Sequence, residues 1–464
     1  MLQIKDTKVF SEINDFFTDG QSPVFKVISM YKSLGIRLKT PGQSIYSREY
    51  KVFHLICGFL MNLDNVHQYL KVYGKWIECG KDVLYRIKNN SSICWRSLLN
   101  KMNKRLVINE MDEKAIQCFL ADDTDFEKSG KRMEFIGKIF NHASHKYSLG
   151  YKCLCLNYWN GKSVFGLDFS IHIEQGKKKK QGLTDKQLKQ RFSKIREENS
   201  PGQLRENELR QSKISVLIKM FKSQVRRGLK ANYFLADSWF TCYELIKAIV
   251  KTPGLNYLRM AKLGKTKYEW NSKLYNATEL IHKNKHNRMY SRKIKMHYIT
   301  IGGLFMQDIP VKVFFFKANM NSQYKMLITT DTKLKAANAY EIYKIRWSIE
   351  VFFKDCKQNL GLGKSQSTDF DVLIADTTLS IMLYNILSSL KHGNEYSTIG
   401  GLFEEIDKDR LSPTIIERIT QLMSSISEVM SEVFGIDLFE LAEEKLSDPD
   451  FENKHLKYIL KLAS

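Results

Sequence analysis

The chain has 464 residues, with 73 Lys and Arg against 50 Asp and Glu for a formal net charge of +23, 43% hydrophobic residues and only 7 prolines. That composition excludes a disordered or fibrous chain, and the basic excess points to a polyanionic partner, since each phosphate contact releases counterions. No apolar run reaches eighteen residues and MLQIKDTKVF has no signal-peptide core, so a cytoplasmic protein without a membrane span is expected, its length allowing two to four domains.

Residues 1 to about 110 predict helices, with amphipathic stretches in VFKVISMYKSLGIRL and YKVFHLICGFLMNLDNVHQYLKVYG. Basic and aromatic residues interleave through SSICWRSLLNKMNKRL, which fits either a small helical DNA-binding domain or a plain bundle. The eight cysteines, at 57, 79, 94, 118, 153, 155, 242 and 356, form no Cys-x-x-Cys pair and are expected as reduced core thiols. Cys153 and Cys155 share one face of a predicted strand, but no second pair completes a zinc site; His142 and His145 belong to a loop.

AIQCFLADDTDF is a short apolar run that ends abruptly in acids, and Ala115 to Asp122 is expected as a buried strand delivering a carboxylate at its carboxyl end. YKCLCLNYW and SVFGLDFSIHIE follow as strands joined by an Asn160-Gly161 turn, with a loop or short helix between Gly130 and Gly150. Residues 176–204 are a basic, turn-rich insertion, either solvated linker or phosphate-contacting segment, and Glu206 to Arg227 is expected as one helix. ANYFLADSWF then repeats the pattern, a strand ending at Asp237, where open α/β sheets place ligand-binding groups.

After a helix from Cys242 to Val250 and the strand LNYLRMAK, the segments MHYITIGGL, VKVFFFK and YKMLITT are β-branched or aromatic and separated by turns, an all-β stretch. Trp270 is expected to pack on its own sheet rather than to stack on a base; Trp239 poses the same choice. Tyr343 to Lys357, read as one helix at about 100° per residue, gathers Tyr343, Arg346, Trp347, Glu350, Lys354 and Lys357 on one side and Ile342, Ile345, Ile349, Phe352, Phe353, Cys356 and Leu360 on the other. One acid among three bases and two aromatics is poorly explained as a solvated face. A carboxylate beside phosphate-binding cations makes sense if a hard divalent metal shares the site. From about 376 the tail is helical, with acidic stretches whose default role is a solvated cap and whose alternative is dimerisation or synapsis.

The run Tyr343-x-x-Arg346-Trp347-x-x-Glu350, continued by Lys354 and Lys357, resembles the YREK signature of large bacterial insertion-sequence transposases, members of the DDE superfamily. Asp237 in LADSWF resembles the second acidic position, and Asp122, through Asp-x-Thr, the first, with Asp123 the alternative. The resemblance covers about residues 115–375 and implies an α/β ribonuclease-H-like mixed-sheet core with an all-β insertion, flanked by helical N- and C-terminal regions. The corresponding domains are 1–110 (helical, DNA-binding), 111–254 (core, with the basic insertion 176–204), 255–335 (β-rich insertion), 336–375 (Glu-bearing core helix) and 376–464 (helical).

It further implies Mg²⁺, replaceable by Mn²⁺, held by Asp122, Asp237 and Glu350 for cleavage and strand transfer. Tyr343, Arg346, Trp347, Lys354 and Lys357 would contact DNA. The implied partners are double-stranded terminal inverted repeats and target DNA, acted on by a homodimer associated with the bacterial nucleoid. The competing expectations are a ribonuclease-H-like nuclease that cuts without joining and a domesticated DNA-binding protein.

Overall fold

The computed structural model describes residues 23–35, 46–60, 66–73, 77–109, 114–141, 144–240, 242–393 and 398–404. Expectations for His142, for residues 1–22 and for the acidic tail beyond 404 lie outside them.

Among the described residues, five helices come first: α1 (Pro23–Ser33), α2 (Arg48–Leu60), α3 (Val66–Tyr73), α4 (Lys81–Lys88) and α5 (Trp95–Asn109). Strands β1 (Cys118–Lys128), β2 (Gly137–Asn141), β3 (Lys146–Trp159) and β4 (Val164–His172) open the sheet. β1 is longer than the apolar run predicts, because its charged half stays in register with β3 from Asp122 opposite Cys155 to Lys128 opposite Leu149. The expected loop between Gly130 and Gly150 contains β2, a polar edge strand whose GKIFN shows little apolar periodicity and which forms only by pairing with β3. Three more helices follow, α6 (Asp185–Lys189), α7 (Pro201–Glu208) and α8 (Lys213–Arg226). The single helix expected from Glu206 is therefore two, broken where the chain turns at 209–212.

β5 (Tyr233–Ala236), α9 (Tyr243–Val250) and β6 (Asn256–Ala261) follow, and β5 is parallel to both β1 and β6. With β3 antiparallel to β1 and β4 antiparallel to β3, this is the mixed sheet of an α/β ribonuclease-H-like core. β6 also pairs antiparallel with β12 (Lys325–Thr329), so the β-rich insertion extends the same sheet. Its other elements are β7 (Lys267–Trp270), β8 (Lys273–Asn276), α10 (Ala277–Lys283), β9 (Met289–Ser291), β10 (Met296–Met306) and β11 (Ile309–Lys317). The strand path runs β2-β3-β1-β5-β6-β12-β11-β10-β7-β8, with β4 on β3 and β9 on β10.

α11 (Ala336–Lys344), α12 (Trp347–Asn359) and α13 (Phe370–Gly393) close the described chain apart from a short helical segment at 399–404. α8 packs on β3 and β4, α12 on β1 and β4, and α13 on α5 and β4. Gly166 permits the last approach, since a Cβ there would lie 2.5 Å from Ile381 and 3.3 Å from Phe352. Around it, Asn385 accepts from the Gly166 N–H at 2.8 Å and donates to the Asn103 side chain at 2.8 Å, joining α5, β4 and α13 through satisfied buried amides. α13 is long and apolar enough to cross a membrane, but 94% of that stretch is buried in the molecule, as for a core helix.

Candidate active site

β1 and β5 are in register at Ala121 and Ala236, so Asp122 and Asp237 each stand one step past that pair at adjacent positions on parallel strands, about 5 Å apart at the backbone. Alternation separates the two neighbouring acids of β1. Phe119 and Ala121 face the core built with Val216, Leu217 and Phe221 of α8, and Asp123, on that side, pairs with Lys213 at the start of α8. Asp122 faces the opposite way, toward the Glu350 helix.

The helix expected from Tyr343 to Lys357 is interrupted. Successive tight-turn bonds, Ile345 N–H to Ile342 O (3.1 Å), Arg346 N–H to Tyr343 O (3.0 Å) and Ser348 N–H to Ile345 O (3.0 Å), separate α11 from α12. Arg346 sits in that joint. Its Nη1 donates to Asp122 Oδ2 at 3.0 Å and to Glu350 Oε1 at 3.2 Å, so one guanidinium nitrogen bridges the strand and the helix. Ile349, Phe352, Phe353 and Cys356 are buried beneath α12, leaving Glu350 on the open side with its side chain 40% exposed.

Burial pushes the Asp122 carboxyl up to about 7; the Asp123 N–H opposes this, the Glu350 charge adds to it, and Arg346 pulls back. Burial alone would lower the Arg346 guanidinium, but Tyr343, Asp122 and Glu350 more than offset it and the net shift is upward. Tyr343 is raised by burial, with Arg346 opposing and Asp237 reinforcing, and its ring lies 5.9 Å from the Arg346 guanidinium.

The remaining predicted residues divide. Trp347 is 65% exposed beside Arg346, and Trp239 is 53% exposed just beyond Asp237, edge-on to Phe240 at 5.0 Å. Lys354 is exposed on α12, whereas Lys357 is half-buried and donates to Asp125 O at 3.0 Å, fastening α12 to β1. Trp270 is half-buried, 6.0 Å from Tyr275, and packs on its own sheet. The Sγ atoms of Cys153 and Cys155 lie 3.7 Å apart, both buried and free of any disulfide. Lys213 was not foreseen: besides pairing with Asp123 it lies 5.0 Å from the Trp239 ring, yet in sequence it is only the first residue of an amphipathic helix.

Carboxylate oxygens are hard donors and suit Mg²⁺, and Asp122, its side chain 15% exposed, shares a single guanidinium nitrogen with Glu350. Among the described residues, no three His, Cys, Asp or Glu side chains are gathered into a ready metal cage, and the positive charge beside Asp122 and Glu350 is supplied by Arg346.

Residues 207–386 match the family model of the transposase DDE domain. The match contains both Asp237 and Glu350 and supports a DDE transposase. No curated protein matches the chain. Among solved structures, the crystal structure of the NurA nuclease from Sulfolobus solfataricus is similar at 11% identity over 71% of this chain and 99% of that one, with a TM-score of 0.24, too low to carry an argument.

Proposed function

We propose that the chain is a DNA transposase of the YREK-signature insertion-sequence group, which cuts transposon ends and joins the freed 3′-hydroxyl to target DNA. The observation that carries this reading is the convergence of Asp122, one residue past the parallel β1–β5 pairing and beside Asp237, with Glu350 through the Arg346 bridge.

Asp122, Asp237 and Glu350 would hold the divalent ions, Mg²⁺ or Mn²⁺. Bound there, such ions supply charge stabilisation at the attacking and leaving oxygens of an in-line displacement on phosphorus. The chain's own residues do the positioning. Arg346 presents a guanidinium fork that matches a phosphate as well as it matches two carboxylates, so an entering phosphodiester competes for it. Lys354 projects into solvent one turn beyond Glu350 and adds a second cation for the strand. Trp347 and Trp239 offer exposed rings on which a displaced base stacks. Asp123, paired with Lys213 on the other face, takes no part in holding metal. The active species is a homodimer on paired ends in this reading.

The test uses an oligonucleotide duplex carrying the inverted repeat that flanks the coding region, Mg²⁺ and a supercoiled target. A 3′-hydroxyl at the repeat boundary followed by a covalent donor–target product is expected. Cleavage without joined product would instead identify a ribonuclease-H-like nuclease, and binding without cleavage a domesticated DNA-binding protein.

A further inference from the structure

Residues 262–297, covering β7, β8, α10 and β9, contain eight Lys and two Arg against only Glu269 and Glu279. This short arm thus carries roughly a third of the +23 net charge. Glu279 is turned back on the chain, accepting from the Asn276 N–H at 2.7 Å as half of a capping box. Lys273, Lys283, Lys285, Arg292 and Lys295 are all exposed. A merely solvated face has no need of large apolar groups, yet Leu274, Met289 and Tyr290 are 61%, 51% and 54% exposed among these cations.

The sheet sets the distance between arm and site. From β1 to β10 the path takes five strand steps, and β7 and β8 extend it to seven. At about 4.8 Å per step this is roughly 24–34 Å, or about 7–10 base pairs of duplex at 3.4 Å each.

We propose that the arm is a second DNA-contact surface, gripping the sugar–phosphate backbone of double-stranded DNA about 7–10 base pairs from the phosphodiester at Asp122, Asp237 and Glu350. The proposal rests on the transposase reading for the location of the cut. The cations neutralise phosphates, while Tyr290 and Met289 pack against deoxyribose. The arm is held to the sheet by buried Tyr268 and Leu280, so its surface charges can be changed without disturbing the core.

The experiment compares the full-length protein with a variant carrying Lys273→Gln, Lys283→Gln, Lys285→Gln and Arg292→Gln. Binding is measured over a salt series on an end duplex of about 30 base pairs and on one truncated about five base pairs from the cut. On the long duplex the variant is expected to bind at least about tenfold more weakly, with a salt slope shallower by roughly 2–4 and lost hydroxyl-radical protection about 7–10 base pairs from the cut. On the truncated duplex it should match the wild type. Equal binding on the long duplex, or equal losses on both, overturns the proposal while leaving the transposase reading in place if the wild type still cuts. A wild type that neither binds nor cuts the duplex overturns both.

Discussion

Two arginines organise two clusters of acids in this molecule, and their surroundings differ. Arg196 has no exposed side-chain surface and is saturated: Glu134 meets it at 2.7 Å, Asp371 at 3.2 Å and Glu206 at 3.3 Å, while the rings of Phe135 and Phe370, 5.5 Å from each other, each lie 5.8 Å from it. It ties the basic insertion to the β1–β2 connection and to α13, so that segment is not a free linker. Arg346, 15% exposed, reaches Asp122 and Glu350 through one nitrogen only, and Glu350 opens to solvent. A saturated, dry ion cluster specifies a fold, whereas an open cluster with unspent donor capacity can exchange its partners for substrate.

The most severe way to break this contrast is at the open cluster's acids. Glu350→Gln or Asp237→Asn should fold and bind DNA but lose Mg²⁺-dependent cleavage by about a thousandfold, since a ligand charge worth several kcal/mol at the transition state disappears. Wild-type cleavage in Glu350→Gln would sink the three-carboxylate assignment. At the closed cluster, Glu134→Gln leaves Arg196 buried and under-compensated, a cost of about 3–5 kcal/mol that chemical denaturation would detect. Cleavage per folded molecule should be unchanged there, and a selective loss of activity would erase the distinction.

Acid stability sharpens the contrast from a third place. Burial lowers His54 to about 3 and His172 to about 4, so both are neutral in the fold and protonate first in the unfolded chain. Their contribution is complete above the unfolded value near 6.5 and is lost as pH falls toward 3–4. Thermal melts at pH 7.5 and 4.5 should show this fall, and His54→Phe should reduce it.

Smaller effects follow. Arg346→Ala removes a charge-assisted contact worth roughly 1.5–3 kcal/mol and should weaken end cleavage by about ten- to a hundredfold, with less effect on folding than Glu134→Gln. Asp123→Asn should change cleavage least, because its partner Lys213 lies on the other face of β1; a loss larger than that of Asp122→Asn would move the first acid by one residue.

The apolar strand runs leading into Asp122 and Asp237, the α12 core stripe and the antiparallel run β10–β11–β12 were legible in the sequence, because apolar periodicity is a local record of which side faces the core, whereas the continuation of β1 past Asp122 to Lys128 was not. Even there, periodicity overran the joint at Ile345 and Arg346: both residues keep helical dihedrals, φ −56° and −53°, so the residue pattern shows no break although the hydrogen bonding does. Glu206–Arg227 failed in the same way.

By itself, then, the sequence determined the residue types, their order and the two faces of each element, since these depend on neighbours within a few positions. Tertiary structure alone decided that β2 is a strand, that Asp122 and Asp123 serve opposite faces, that Arg346 spans β1 and α12, and that Arg196 is buried. The reason is that hydrogen bonds and ion pairs joining residues 224 or 62 positions apart leave no trace in local pattern. Only the pairing of strands and the packing of helices brings such partners within reach.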